Sequence, residues 1–143
     1  MKIRVKRIDK DLPLPIYETN GSVGLDLLAR QDTLIKSKKI GLVPCNLIVE
    51  VPKGYVLVIA SRSSTPSKKG LLMPHGIGII DQDYCGSKDE ILAQFYNFSE
   101  IDVIIKKGEK VAQALFLPIE TIEWEEVSEA KRESRGGLGS TDK

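Results

Sequence analysis

The chain has 143 residues, a length that suits a single domain with a core of its own. Its 21 basic and 20 acidic residues nearly cancel and are dispersed, unlike a chain built to coat nucleic acid, which carries a basic stripe or arm. No apolar run approaches the roughly 20 residues of a membrane helix, and the N-terminal Met1–Arg7 stretch lacks an apolar block of signal-peptide length. Cys45 and Cys85 lie far apart and outside any CxxC pair, so they read as free thiols in a reducing compartment. With His75 the lone histidine, no zinc site is expected. Cytoplasm is the expected location.

Taken in chain order, the periodicity is that of strands. Ile3 and Val5 alternate with basic residues, and Leu34–Ile40 is the next candidate. Asn46–Val51 and Tyr55–Ala60 are β-branched runs separated by Pro52-Lys53-Gly54, a turn-forming separator that predicts a hairpin. Gly76–Ile80, Ile91–Asn97, Asp102–Ile105, Val111–Leu117 and Ile122–Val127 complete the set. In the last, Ile122, Trp124 and Glu126 share one side of a weak two-residue alternation. Turn signals recur at Asn20-Gly21, Lys69-Gly70 and Lys107-Gly108. Many short strands with regular turns predict an all-β sandwich, jelly roll or barrel. No window carries a 3.6-residue period, so at most one short helix is expected.

Residues 1–127 read as one β-rich domain. Ser128–Lys143 differs: it has no aromatic residue, Leu138 is its one large apolar side chain, and it contains Gly136-Gly137-Leu138-Gly139-Ser140-Thr141. It reads either as a frayed, solvated end or as a mobile arm. In the second reading its glycines let backbone amides approach an anion, while Ser140, Thr141 and a nearby arginine add donors.

Four further segments carry polar residues where core would be expected. In Ser22-Val23-Gly24-Leu25-Asp26-Leu27, Asp26 sits among apolar neighbours, where a carboxylate must be paired, hold a metal or bond a turn. Ala60-Ser61-Arg62-Ser63-Ser64-Thr65 follows the most hydrophobic strand and offers a planar guanidinium and short hydroxyl donors suited to phosphate; Ser-rich loops also serve simply as turns. In His75–Tyr84, Gly76 and Gly78 leave the backbone bare. Asp81 can orient a water there, and the Tyr84 ring can pack on a sugar face; the alternative is an Asp-rich turn. In Gly108–Gln113, Gln113 interrupts an apolar strand and needs a partner.

Together and in this order, the four segments and the tail resemble the five motifs of the trimeric dUTP diphosphatase (dUTPase) family, from Gly21 to Thr141. The resemblance implies a jelly-roll-like (β-clip) subunit of a homotrimer, with active sites at subunit interfaces and the C-terminal arm of one subunit closing a site formed by others. It implies splitting of dUTP into dUMP and pyrophosphate by water attacking the α-phosphorus, with Mg²⁺ on the triphosphate. Asp81 resembles the carboxylate that positions the water, and Tyr84 the ring that leaves no room for a 2′-hydroxyl. Asp26 resembles the acid that supports Mg²⁺ through water. Arg62, Ser63 and Ser64 resemble the phosphate loop, with Gln113 as its partner. The backbone of Gly78, Ile79 and Ile80 resembles the strand that reads uracil.

The chain departs from the family pattern in three places. Leu138 stands where an aromatic usually stacks on the base, beside Gly139, Ser140 and Thr141. Glu133 occupies the position of the tail arginine, so Arg135 or Arg132 takes over that role. His75 stands where many bacterial members place an asparagine. Two other classes share the scaffold. A dCTP deaminase, or a bifunctional deaminase-diphosphatase, would need a proton-shuttling glutamate, for which Glu90 is the candidate. A non-catalytic nucleotide-binding relative would bind without turnover.

Overall fold

The computed structural model describes residues 1–134 and Gly136. Eleven strands and one short helix follow in order: β1 (Val5–Arg7), β2 (Leu25–Leu28), β3 (Thr33–Ile35), β4 (Ile40–Pro44), β5 (Leu47–Val49), β6 (Tyr55–Ser61), α1 (Thr65–Lys69), β7 (Leu71–Leu72), β8 (Gly78–Ile80), β9 (Leu92–Asn97), β10 (Val103–Ile105) and β11 (Lys110–Pro118). The all-β expectation and the single short helix hold. Helix α1 begins with Pro66 in its first turn and ends at Gly70, whose left-handed φ of 63° stops it.

Four small sheets make up the jelly-roll-like body: β1-β5, β10-β3, β2-β11-β6-β8 and β4-β9-β7, every pair antiparallel. Alternation explains the packing of β9, which buries Ala93, Phe95 and Asn97 and turns Leu92 outward. Phe95, Leu27, Ile35, Leu57, Leu71, Ile91 and Ile105 form the centre of the core. Asn97 is tolerated there because every polar atom is used. Its Nδ2 donates to the Ile35 and Ile101 carbonyls, and its Oδ1 accepts from the Ser99 amide and hydroxyl.

Three expected strands differ. The Pro52-Lys53-Gly54 turn forms, with the Tyr55 amide donating to the Pro52 carbonyl, but the flanking runs do not pair. β5 pairs with β1, whereas β6 pairs with β11 and β8. All three residues of β5 are buried, so the turn carries the chain from one layer to another. Leu34–Ile40 is broken at Lys38, which adopts φ 56°, and divides into β3 and β4. Ile122–Val127 forms no strand; Ile122, Trp124 and Val127 are 61%, 91% and 61% exposed. Its alternation pairs with no strand among the described residues. β2 was not anticipated as a strand, because Asp26 interrupts its apolar run.

Candidate active site

Asp26 stands directly opposite Gln113 across β2 and β11, and Gln113 in turn stands opposite Ala60 on β6. That register brings three of the polar segments to one end of the four-stranded sheet. The Asp26 carboxylate is only 15% exposed and lies 3.0 Å from Arg62 Nε and 3.0 Å from Lys110 Nζ. The Arg62 Nε–H, although buried, makes no hydrogen bond. The pair is therefore close in charge but misaligned, and an inward donor remains uncommitted, an arrangement a bound anion can complete. Lys110 was missed in the sequence; the signal was a basic residue three positions before Gln113 in a buried strand. Glu18 first, and Asp26 second, hold its ammonium above the ordinary lysine value.

Gly24 lets the two strands meet here, since a Cβ at that position would come within 3.0 Å of Gln113 Oε1. Ser63 is exposed. Ser64 is the N-cap of α1, yet its side chain makes no capping bond, which leaves the hydroxyl open to a ligand.

β8 pairs with β6 on one side and ends its sheet, so the outer row of backbone groups along Gly78, Ile79 and Ile80 is unpaired among the described residues. Gly78 is small for an internal reason as well: a Cβ would sit 3.2 Å from Ile59 Cβ. Gly76 adopts φ 77°, and exposed His75 precedes it at the mouth of the strand. Asp81 and Tyr84 form a turn, with the Tyr84 amide donating to the Asp81 carbonyl at 3.3 Å. Gln82 Nε2 ties this turn to the Tyr55 carbonyl at 3.0 Å. A cleft of about 300 Å³ opens beside Asp81, lined by Tyr55, Val56, Ile80 and Ile119 among others.

The strand register separates these groups. Ile80 stands opposite Leu57 near the start of β6, whereas Arg62 follows its end. Asp81 follows Ile80 and so lies level with Val56, and six residues at about 3.3 Å each put it roughly 20 Å from Arg62 along the sheet. One copy of the chain thus presents two half-sites: Asp26, Arg62, Lys110 and Gln113 at one end, Asp81 and Tyr84 at the other.

Glu90, the glutamate a deaminase would need, is 9% exposed. Its carboxylate accepts from Arg30 Nε at 2.8 Å, Arg30 Nη2 at 3.0 Å and the Asn46 amide at 2.8 Å, so it is engaged inside the fold. Arg132 is exposed. Arg135, Leu138, Gly139, Ser140 and Thr141 lie outside the described residues.

The all-β chain thus carries a cation-paired carboxylate at one sheet end and an exposed Asp–Tyr turn at the other. The family model described as dUTPase matches residues 10–142. The deoxyuridine 5'-triphosphate nucleotidohydrolase of Dictyoglomus turgidum is 39% identical over 99% of this chain and 98% of its own length. That of Lactococcus lactis is 36% identical over 99% of both. The crystal structure of dUTPase from Streptococcus mutans superposes with a TM-score of 0.77 at 34% identity, covering 84% of this chain and 98% of that one. The chain belongs to the dUTPase family.

Proposed function

We propose that this chain hydrolyses dUTP to dUMP and pyrophosphate, working as a homotrimer in which each site draws on more than one subunit. The observation that carries this reading is the separation of the two half-sites along a single sheet. Arg62 and Asp81 serve one triphosphate only if the Asp81 end of one subunit meets the Arg62 end of another. Exposed apolar surface supports association. Ile122, Trp124 and Val127 stand out in solvent, and an apolar groove of about 630 Å³ runs between the N-terminal segment and the sheets, lined by Ile3, Leu14, Tyr17, Leu25, Leu47 and Phe116 among others.

In the assembled site the exposed Asp81 carboxylate accepts a proton from the water that attacks the α-phosphorus. The unpaired edge of β8 supplies backbone donors and acceptors to the uracil, with His75 at the entrance. A pyrimidine whose pattern fails to match leaves polar groups unpaired and is rejected. The Tyr84 ring packs beneath the deoxyribose and leaves no space for a 2′-hydroxyl. Arg62, Ser63 and Ser64 receive the phosphates, Gln113 backs that loop, and the arm bearing Arg132, Arg135, Leu138, Gly139, Ser140 and Thr141 closes over them.

The residues present fit Mg²⁺ held chiefly by phosphate and water. No group of three ligand-type side chains gathers among the described residues, and Asp26 at the phosphate end would hold the ion through water, with Glu18 beyond Lys110 as the next carboxylate. When bound, Mg²⁺ neutralises the triphosphate's charge. The coordination of a structural Mg(II) ion is described for the dUTPase of phage phi11 of S. aureus, which shares this fold at 22% identity with a TM-score of 0.80. No helix among the described residues is long and apolar enough to cross a membrane, and the free thiols of Cys45 and Cys85 fit a reducing cytoplasm.

Pyrophosphate release measured across deoxy- and ribonucleoside triphosphates, with and without Mg²⁺, tests the reading. Turnover of dUTP alone, dependent on Mg²⁺, is expected. Ammonia from dCTP overturns it in favour of a deaminase, and dUTP binding without pyrophosphate overturns it in favour of a silent relative.

A further inference from the structure

A partly buried ion pair, Arg30 with Glu90, lies outside the proposed reaction. Arg30, two residues beyond β2, presents a fork to Glu90, 60 residues away, at 2.8 and 3.0 Å. Bidentate guanidinium–carboxylate geometry fixes both partners in orientation as well as distance. The same carboxylate takes the Asn46 amide, and Asn46, at a left-handed φ of 68°, exchanges two hydrogen bonds with the Asp9 backbone. The backbone of Arg30 is itself held, its amide donating to the Pro44 carbonyl at 2.8 Å. Beyond Glu90, Ile91 is clamped on both sides, its amide to the Leu47 carbonyl and its carbonyl to the Cys45 amide, each at 2.9 Å.

All of this converges on one atom. The Tyr84 hydroxyl donates to the Glu90 backbone carbonyl at 3.2 Å. Tyr84 is otherwise 37% exposed, in a loop held by the turn at Asp81, a Gly86 amide bonded to Asp89 Oδ2 and, at its start, the Gln82 side chain on the Tyr55 carbonyl. An aromatic side chain has two rotatable bonds. Fixing its tip as well as its Cα fixes the first of these, and with it the direction in which the ring's long axis points.

We infer that the partly buried Arg30–Glu90 pair is a positioning device for the Tyr84 ring, and through it helps to set the preference for a 2′-deoxy sugar. This rests on the reading of Tyr84 as the sugar-facing ring. The pair holds the carbonyl, the carbonyl holds the hydroxyl, and the ring cannot tilt aside to admit a ribose. Arg30 and Glu90 touch no substrate in this account; they act through Tyr84.

The test is kcat/KM for dUTP and for UTP in the full chain and in Tyr84→Phe, Glu90→Gln, Arg30→Lys and Tyr84→Ala. Tyr84→Phe keeps the ring and removes only the tie, so the dUTP-to-UTP ratio is expected to fall about three- to tenfold, the scale of one lost hydrogen bond. Glu90→Gln and Arg30→Lys should lower the ratio similarly. Combining Glu90→Gln with Tyr84→Phe should lower it no further than Tyr84→Phe alone, because both act through the same contact. A purely structural pair would instead cut both substrates equally. If Tyr84→Ala collapses the ratio while Tyr84→Phe, Glu90→Gln and Arg30→Lys leave it within twofold of the parent, the positioning role is wrong and the sugar-facing role stands. If even Tyr84→Ala leaves the ratio unmoved, the sugar-facing reading fails and takes this inference with it.

Discussion

Asp26 and Arg62 lie 3.0 Å apart from oxygen to Nε, yet the buried N–H of that nitrogen is aimed at no acceptor. The ion pair is poised rather than closed, and Lys110 shares the same carboxylate. Asp26→Asn leaves Arg62 without its counter-charge and Lys110 with Glu18 alone. We expect unfolding free energy to fall by about 1–3 kcal/mol, read from urea midpoints, and the Mg²⁺ concentration for half-maximal turnover to rise. Unchanged Mg²⁺ dependence would separate Asp26 from the metal.

Asp81 lies in a turn with no cation paired to it among the described residues, as suits the proton acceptor we propose it to be. Asp81→Asn keeps the shape of the turn and removes the base. Nucleotide affinity should stay within about tenfold, while turnover falls by roughly 10²–10⁴. Calorimetric binding together with pyrophosphate release measures both, and near-normal turnover removes Asp81 from the chemistry.

The separation of half-sites makes complementation possible. Asp81→Asn and Arg62→Ala variants should each be nearly inactive, but unfolded together and refolded as mixed assemblies they should regain activity, since some sites then combine an intact Asp81 end with an intact Arg62 end. Mixtures as inactive as their parents would mean that a site is built within one chain.

Trp124 is the sole tryptophan and is 91% exposed in the single chain. If its segment is covered on assembly, its emission should be blue-shifted at high protein concentration and move to the red on dilution, together with loss of activity. Emission that stays solvent-like at every concentration places Trp124 outside the interface.

Cys45 is buried, and burial pushes its thiol from 9.0 up to about 12. The native state thus keeps the proton where the unfolded chain gives it up. This contribution to stability is complete below about pH 9 and is lost progressively as pH rises towards 12. Cys45→Ala should flatten that alkaline decline in thermal melts, and a thiol reagent at pH 8 should modify Cys85 in the native protein while sparing Cys45.

Much of the site's chemistry was legible because it lies in short runs: Asp81 with Tyr84, Arg62 with Ser63 and Ser64. Which residues face one another was not, since that depends on β6 pairing with β8 and β11 rather than with its sequence neighbour β5. The turn at Pro52-Lys53-Gly54 is a local property and formed as expected. The hairpin needed a long-range partner choice, and the complete burial of Leu47, Ile48 and Val49 decided it otherwise. Lys110 escaped notice because a lysine in a strand carries no mark of the aspartate it will face. The pairing of Arg30 with Glu90 escaped for the same reason across 60 residues. Ile122–Val127 shows the converse, a strand-like alternation with no strand beside it.

That uncovered segment has a consequence for the life of the newly made chain. A subunit that finishes folding alone enters the crowded cell with Trp124, Ile122 and Val127 bare and an apolar groove unfilled, surfaces that any chaperone or aggregating neighbour can seize. In the proposed assembly, yield would then depend on how soon after synthesis a subunit meets its sisters.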